Sequence, residues 1–391
     1  MRHVAYIVTI PLTAKVHLCG HLAHLRQQGF RVTLITSPGP ELEAVQAREG
    51  VKAIAVPMVR EINLRQDAVS FWMLRKVLRG LQPDIVNAGT PKAGFLGMMA
   101  ARMCGVPLRI YTLHGNRAET LKGNKRRIVF MTERLASAAA HRVVCVSKSL
   151  SVAYTQAGLA PARKVTVLAN GSANGLDASR FELSETRMAE LDQLRRELGL
   201  AGQDRVIGFV GRFTRDKGIV DLVTAWERIK ADIPNLKLLL LGRFEDGDPI
   251  PGETAELIRS NPNCVLPGYK EDTSLYYHLM DVLALPSYRE GFPVVPLEAA
   301  AAKVPTVGFA ATGTVDAVVD GKTGLLAPVG DVIALSSKLA LLMEDDTLRR
   351  SMGQAAYDRV TTLYRPEVIW SAWAAFYNEA FNRRKQLAMT S

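Results

Sequence analysis

Short apolar runs rich in β-branched residues alternate with longer stretches of helical periodicity along the whole chain. In the first half these runs are Val4–Ile10, Arg31–Thr36, Val51–Pro57, Asp84–Ala88, Leu108–His114, Arg142–Ser147 and Lys164–Ala169. Helical patterns fall between them at Leu18–Gln28, Asp67–Gly80, Pro91–Cys104, Lys125–Ala140 and Lys148–Ala157. Strands of about six residues separated by helices of about ten or more predict right-handed βαβ units and a parallel sheet. Val143–Val146 is apolar without alternation, as a strand buried on both faces requires. The second half repeats the pattern with strands at Val206–Val210, Lys237–Leu241, Cys264–Leu266, Val282–Leu285, Thr306–Phe309 and Gly324–Ala327. Between the two series, the charged stretch Glu182–Leu200 reads as a surface helix near a domain junction. Pro366–Gln386 is amphipathic and carries Trp370, Trp373, Phe376, Tyr377 and Phe381, the pattern of a closing helix. The expected architecture is α/β, with two Rossmann-like, doubly wound domains at 1–180 and 181–365 and the closing helix at 366–391. Ligands of such folds sit outside the carboxyl ends of the strands, so a cleft between the domains is the expected site.

Composition narrows this picture. A chain of 391 residues fits two such domains. Cys19, Cys104, Cys145 and Cys264 are scattered without a C-x-x-C pair, which suggests a reducing compartment and neither a disulfide framework nor a zinc cluster. The start, Met1-Arg2-His3 and an apolar run to Ile10, lacks the features of a signal peptide, and no stretch approaches ~18 uninterrupted apolar residues. A cytoplasmic location is expected. The net charge of +11 is unevenly spread: residues 1–180 carry +16 and residues 181–391 carry −5. The first half is therefore expected to engage a polyanion or an anionic surface.

Several familiar motifs fail. No G-x-G-x-x-G follows any strand, which argues against a dinucleotide oxidoreductase. Gly321-Lys322-Thr323 resembles the end of a phosphate-binding P-loop, but Asp316 stands where its first glycine belongs. His17, His21 and His24 have the i, i+4, i+7 spacing of one helical face, yet Leu18 follows His17 where a metalloprotease helix has glutamate. They are read as helix-face histidines rather than metal ligands. No nucleic-acid-binding array is present either.

Other clusters carry chemistry. Gly211-Arg212 through Lys217-Gly218 follows the first strand of the second domain and places a planar guanidinium and a point charge where phosphate is held. Glu290-Gly291-Phe292-Pro293-Val294 leads into a helix holding Glu298, expected two turns inside it and on the same side as Glu290. Backbone amides from Gly291 to Val294 favour an anion, and the two carboxylates can accept hydrogen bonds from sugar and ribose hydroxyls. A carboxylate set among Val294, Val295, Leu297 and Ala299 needs a partner.

The Glu290…Glu298 pair, the Gly211-Arg212…Lys217-Gly218 element, and Gly313-Thr314-Val315-Asp316 with Asp320–Leu326 resemble the retaining GT-B glycosyltransferases of family 4. Gly171-Ser172-Ala173-Asn174-Gly175-Leu176-Asp177 is similar to members from bacterial capsule, exopolysaccharide and O-antigen assembly. The resemblance implies that Arg212 and Lys217 hold the nucleotide diphosphate, Glu290 the hexose hydroxyls and Glu298 the ribose. It also implies that His114 lies on the acceptor side near the anomeric carbon. It further implies a nucleotide-sugar donor (UDP-linked first), a polyprenyl-diphosphate-linked acceptor, and neither a metal nor another cofactor. Two positions depart from the family: no Gly-Gly pair follows the first strand, and Asp316 replaces the usual Glu. A GT-B sugar-nucleotide epimerase and a non-enzymatic polyanion binder are the alternatives. Arg60–Arg79 and Lys122–Arg134 combine cations with Phe71-Trp72-Met73-Leu74 and Ile128-Val129-Phe130-Met131, suiting peripheral docking on the inner face of an anionic membrane.

Overall fold

The computed structural model describes residues 1–59, 63–119, 121 and 123–390. Arg60 and Lys122, which open the two basic segments, lie outside the described residues. The chain divides into two units, one of Met1–Gly175 with the segment from Pro366 onward, the other of Leu176–Arg365.

The first unit holds β1 (His3–Ile7), β2 (Arg31–Thr36), β3 (Lys52–Ala55), β4 (Ile85–Gly89), β5 (Leu108–Leu113), β6 (Arg142–Cys145) and β7 (Val165–Val167). They form a parallel sheet in the order β3-β2-β1-β4-β5-β6-β7. Central strands β1 and β4 are buried throughout, as strands covered on both faces are, and their polar members His3 and Asn87 are hydrogen-bonded. The helix Pro366–Thr390 belongs to this unit: Ile369, Trp373 and Tyr377 join a core with Tyr6, Leu22, Phe30 and Leu34. Asn87 Nδ2 on β4 donates to the Tyr377 hydroxyl at 2.6 Å, giving the buried helix face a polar anchor.

The second unit holds β8 (Arg205–Phe213), β9 (Leu236–Phe244), β10 (Cys264–Gly268), β11 (Val282–Leu285), β12 (Thr306–Phe309) and β13 (Gly324–Ala327), in the order β10-β9-β8-β11-β12-β13. Trp226 and Leu339 from helices share its core with Phe209 and Phe309 of the strands. The charged helix Glu185–Glu197 buries none of its residues and is capped by the Ser184 side chain.

The division falls at Gly175/Leu176, five residues before the boundary expected at 180. The intervening residues pack on the second unit: Phe181 is buried against the Tyr277 ring, and its carbonyl accepts from His278 Nε2 at 2.7 Å.

Candidate active site

Both sheets reverse their winding direction beside the first strand of the unit, between β1 and β4 and between β8 and β11. At such a reversal the following loops splay apart and leave a ligand site at the carboxyl edge.

In the second unit this edge gathers the sequence-predicted residues from separate loops. Strand β8 runs past Val210 because its pairing with β9 continues through Gly211–Gly242 and Arg212–Arg243 to Phe213–Phe244. Gly211 and exposed Arg212 therefore sit on the strand end rather than in a loop. Lys217 closes the short helical turn Arg215–Lys217, and Gly218 ends it in the left-handed region (φ +68°). A Cβ on Gly218 would stand 1.9 Å from the Pro286 carbonyl oxygen, so a glycine is needed to bring this turn against the end of β11.

Lys217 Nζ donates to Glu290 Oε1 at 2.5 Å, joining the loops after β8 and β11. Asp216 reinforces the junction. It accepts from the Thr214 hydroxyl at 2.6 Å and from Arg289 at 3.2 Å, while its carbonyl accepts from Tyr288 N at 3.0 Å. Burial pushes the Asp216 carboxyl up, but the Thr214 hydroxyl and the charges of Arg289, Lys217 and Arg212 outweigh it and hold the group below its usual range. Glu290 N donates to Thr312 O at 2.9 Å and brings in the loop after β12.

Glu298 lies in the first turn of Val295–Ala301, not two turns in, because the helix starts only at Val295. Its partner is the Tyr277 hydroxyl, which donates to Oε2 at 2.5 Å. Burial pushes the Glu298 carboxyl up, against the Tyr277 hydrogen bond and the charge of Arg180. Glu290 and Glu298 thus have different partners, one a lysine and the other a tyrosine. Gly291, Phe292 and Pro293 are buried, and the Phe292 ring packs on Tyr364 at 5.3 Å, so its side chain supports the loop from within. Val294 is half-buried at the helix start.

In the first unit, His114 directly follows β5. Its ring stacks on His17 with centroids 5.4 Å apart and planes at 30°. On Gly89, at the end of β4, a Cβ would lie 2.9 Å from His114 Nε2. Burial and then the neighbouring His17 push the His114 pKa down to about 3, so the imidazole is neutral near pH 7. Thr90, next to Gly89, holds φ +71° and ψ 148°, a conformation costing a non-glycine residue about 1–3 kcal/mol. Its hydroxyl meets that of Thr9 at 2.6 Å across the β1–β4 reversal.

The three histidines do not form one face. Pro11–His17 and His21–Gln27 are separate helices, broken at Gly20 in the left-handed region. His21 points into the core against Tyr6 and Trp373, and His24 lies against Trp370. Among the described residues, no group of three or more His, Cys, Asp or Glu could hold a metal. Sequence reasoning missed Tyr277, Asp216 and the contact of His17 with His114. Only the demand of Glu298 for a partner hinted at the first of these.

Two doubly wound parallel sheets, one with a cation–carboxylate cluster at its carboxyl edge, make up the chain. The chain belongs to the group 1 glycosyltransferases, of GT-B fold: the family model "Glycosyl transferases group 1" matches residues 191–359 and "Glycosyltransferase Family 4" matches residues 14–172. It is 33% identical to the capsular polysaccharide biosynthesis glycosyltransferase CapM of Staphylococcus aureus, over 96% of each chain. It is 26% identical to the Escherichia coli UDP-Gal:alpha-D-GlcNAc-diphosphoundecaprenol alpha-1,3-galactosyltransferase, over 88% of this chain and 89% of that one. Among solved structures, Anabaena Alr3699/HepE in complex with UDP matches with a TM-score of 0.78 at 20% identity, covering 97% of this chain and 100% of that one. Sucrose-phosphate synthase from Thermosynechococcus elongatus matches with a TM-score of 0.81 at 20% identity, covering 98% and 100%. These two likenesses concern the fold.

Proposed function

We propose that this glycosyltransferase moves a hexose or N-acetylhexosamine from a nucleotide sugar, UDP-linked in the first instance, to a lipid-diphosphate-linked saccharide during bacterial surface polysaccharide synthesis. The observation that carries the donor half is the Lys217–Glu290 pair at the β8–β11 reversal, braced by Asp216 and Arg289. On this reading Arg212, at the end of β8, and Lys217, in the turn after it, bind the diphosphate and stabilise the charge left on it as the glycosidic bond breaks. Glu290 is free to turn from Lys217 to sugar hydroxyls, and Glu298 offers its second carboxyl oxygen to the ribose. His114, neutral, serves the acceptor side. The reading is metal-independent, since side-chain cations supply the electrostatic stabilisation, and retaining, with attack from the leaving-group face and a donor phosphate oxygen taking the acceptor proton.

The CapM and galactosyltransferase relatives support the polysaccharide setting and the lipid-diphosphate acceptor. No helix among the described residues is long and apolar enough to cross a membrane. Peripheral docking of the first unit on the inner face of the membrane completes the reading. Helix Leu64–Leu81 exposes Trp72 and Met73 beside Lys76 and Arg79, and helix Gly123–Ala139 exposes Ile128, Met131 and Leu135 beside Lys125, Arg126 and Arg127.

The test is a donor panel read by hydrolysis, followed by mass spectrometry of a polyprenyl-diphosphate-linked saccharide incubated with the active donor. The expected result is one added sugar. Epimerised sugar nucleotide in the absence of acceptor would replace this reading. Lys217→Ala and Glu290→Gln should each lower turnover by ~10²-fold or more, the scale of losing one electrostatic group at the reacting centre.

A further inference from the structure

The loop after β1 has no Gly-Gly pair and leads directly into the helix Pro11–His17. Proline at the helix start fixes the backbone without losing a needed hydrogen bond, and the helix ends with His17 over His114. No hydrogen bond from a described residue holds the His114 ring. Its orientation rests on packing, with His17 stacked on it and the missing side chain of Gly89 leaving room beside Nε2. An imidazole that must present a particular nitrogen gains from such a wall, because rotation about its side-chain bonds is otherwise open.

The elbow after His17 is itself clamped. Gly20 N and Ala23 N donate to the two carboxylate oxygens of Glu49 at 2.9 and 3.1 Å. The Cys19 carbonyl accepts from Asn174 Nδ2 at 2.9 Å, and Asn174 Oδ1 accepts from Trp370 Nε1 at 2.7 Å. A Cβ on Gly20 would stand 2.5 Å from the Trp370 ring, which closes the elbow from its other side. Asn174 is one residue before the first crossing between units at Gly175, and Trp370 follows the second at Pro366. Asn174 and Trp370, which hold this elbow together with Glu49, therefore come from the segments flanking both crossings.

We propose that His17 is a positioning residue for sugar transfer: seated by the Asn174–Trp370 clamp, it holds the His114 ring in its working orientation through ring stacking. Stacking, and not proton exchange, is its contribution, so a flat apolar ring can replace it. The proposal rests on the reading of His114 as the acceptor-side group.

The experiment compares His17→Ala, His17→Phe, Asn174→Ala and His114→Ala in the full chain, using the donor and acceptor identified by the panel. The His114 ring proton signals are followed by NMR without substrate. His17→Ala should lower kcat by about tenfold or more, leave the donor KM within about twofold, and remove the ring-current shift of the His114 protons. His17→Phe should restore both the rate and the shift. Asn174→Ala should show a weaker loss of the same kind. Full activity of His17→Ala beside an impaired His114→Ala would overturn the positioning role alone. His17→Phe as inactive as His17→Ala, with its ring-current shift retained, would also overturn it and assign chemistry to the imidazole. Full activity of His114→Ala would remove the underlying reading and this proposal together. The native dispersion of the remaining signals is independent of turnover and separates a folded chain that has lost the stacked ring from an unfolded one.

Discussion

Glu290 and Glu298 look equivalent in the sequence, and their neighbours make them different. Glu290 is paired with a lysine, whereas Glu298 is held by the Tyr277 hydroxyl in a site that disfavours its charge. Replacing Tyr277 with Phe leaves a half-buried carboxyl with one bond fewer. It should cost about 1–3 kcal/mol of stability, read by chemical denaturation, and raise the donor KM more than it lowers kcat. The residue types and their order were legible beforehand: Arg212 lies at the end of β8, and His114, Lys217 and Glu290 lie in the segments that follow β5, β8 and β11. Tyr277 was not, because a tyrosine at the end of a four-residue helix carries no signal of the carboxylate it will meet.

At the scale of elements, β2, β11, β12 and β13 occupy the residues their apolar runs predict. Strands β8 and β9 run further because backbone pairing does not need apolar side chains; their extensions end in Phe213 and Phe244, whose rings meet edge-on at 5.0 Å. The single helix expected over Leu18–Gln28 starts three residues later, behind a separate helix ending at His17, because an elbow at Gly20 intervenes. The turn at Gly218 leaves no room for a side chain against the end of β11. Gly218→Ala combines a left-handed backbone with a clash against Pro286, and should destabilise the second unit by about 1–3 kcal/mol or more while weakening donor binding. Thermal unfolding with and without UDP checks both effects.

At the scale of the whole molecule, charge and titration dominate. The excess of +16 over residues 1–180 includes the cations of Leu64–Leu81 and Gly123–Ala139. Binding to phosphatidylglycerol vesicles should weaken as salt rises, and Trp72→Ala or Met131→Ala should reduce what remains. Absence of binding at every salt concentration would remove the docking reading.

The inner side of Gly123–Ala139 holds Glu133, which accepts from the Tyr111 and Tyr154 hydroxyls at 2.9 Å each. Burial pushes its carboxyl from the usual 4.5 up to about 7, against those hydrogen bonds. The folded chain therefore holds this proton more tightly, so the stabilising contribution is complete below pH 4.5 and fades as pH rises to about 7. His21 and His114, pushed down to about 3 mainly by burial, act in the opposite sense: their contribution is full above 6.5 and lost as pH falls toward 3. Glu133→Gln removes only the first effect. Its stability relative to the native chain should rise between pH 4.5 and 7, measured by denaturation across that range.

The sequence by itself determined the α/β class, the two parallel sheets and the family to which the chain belongs. Hydrophobic periodicity is a local consequence of which side chains face a core, and strand-to-helix loops fall at known places along it. Tertiary structure decided the partnerships: Lys217 with Glu290, Tyr277 with Glu298, His17 with His114, and Trp370 with Asn174. Each joins residues from separate elements, and Asn174 and Trp370 are 196 positions apart, so local pattern alone does not specify these contacts.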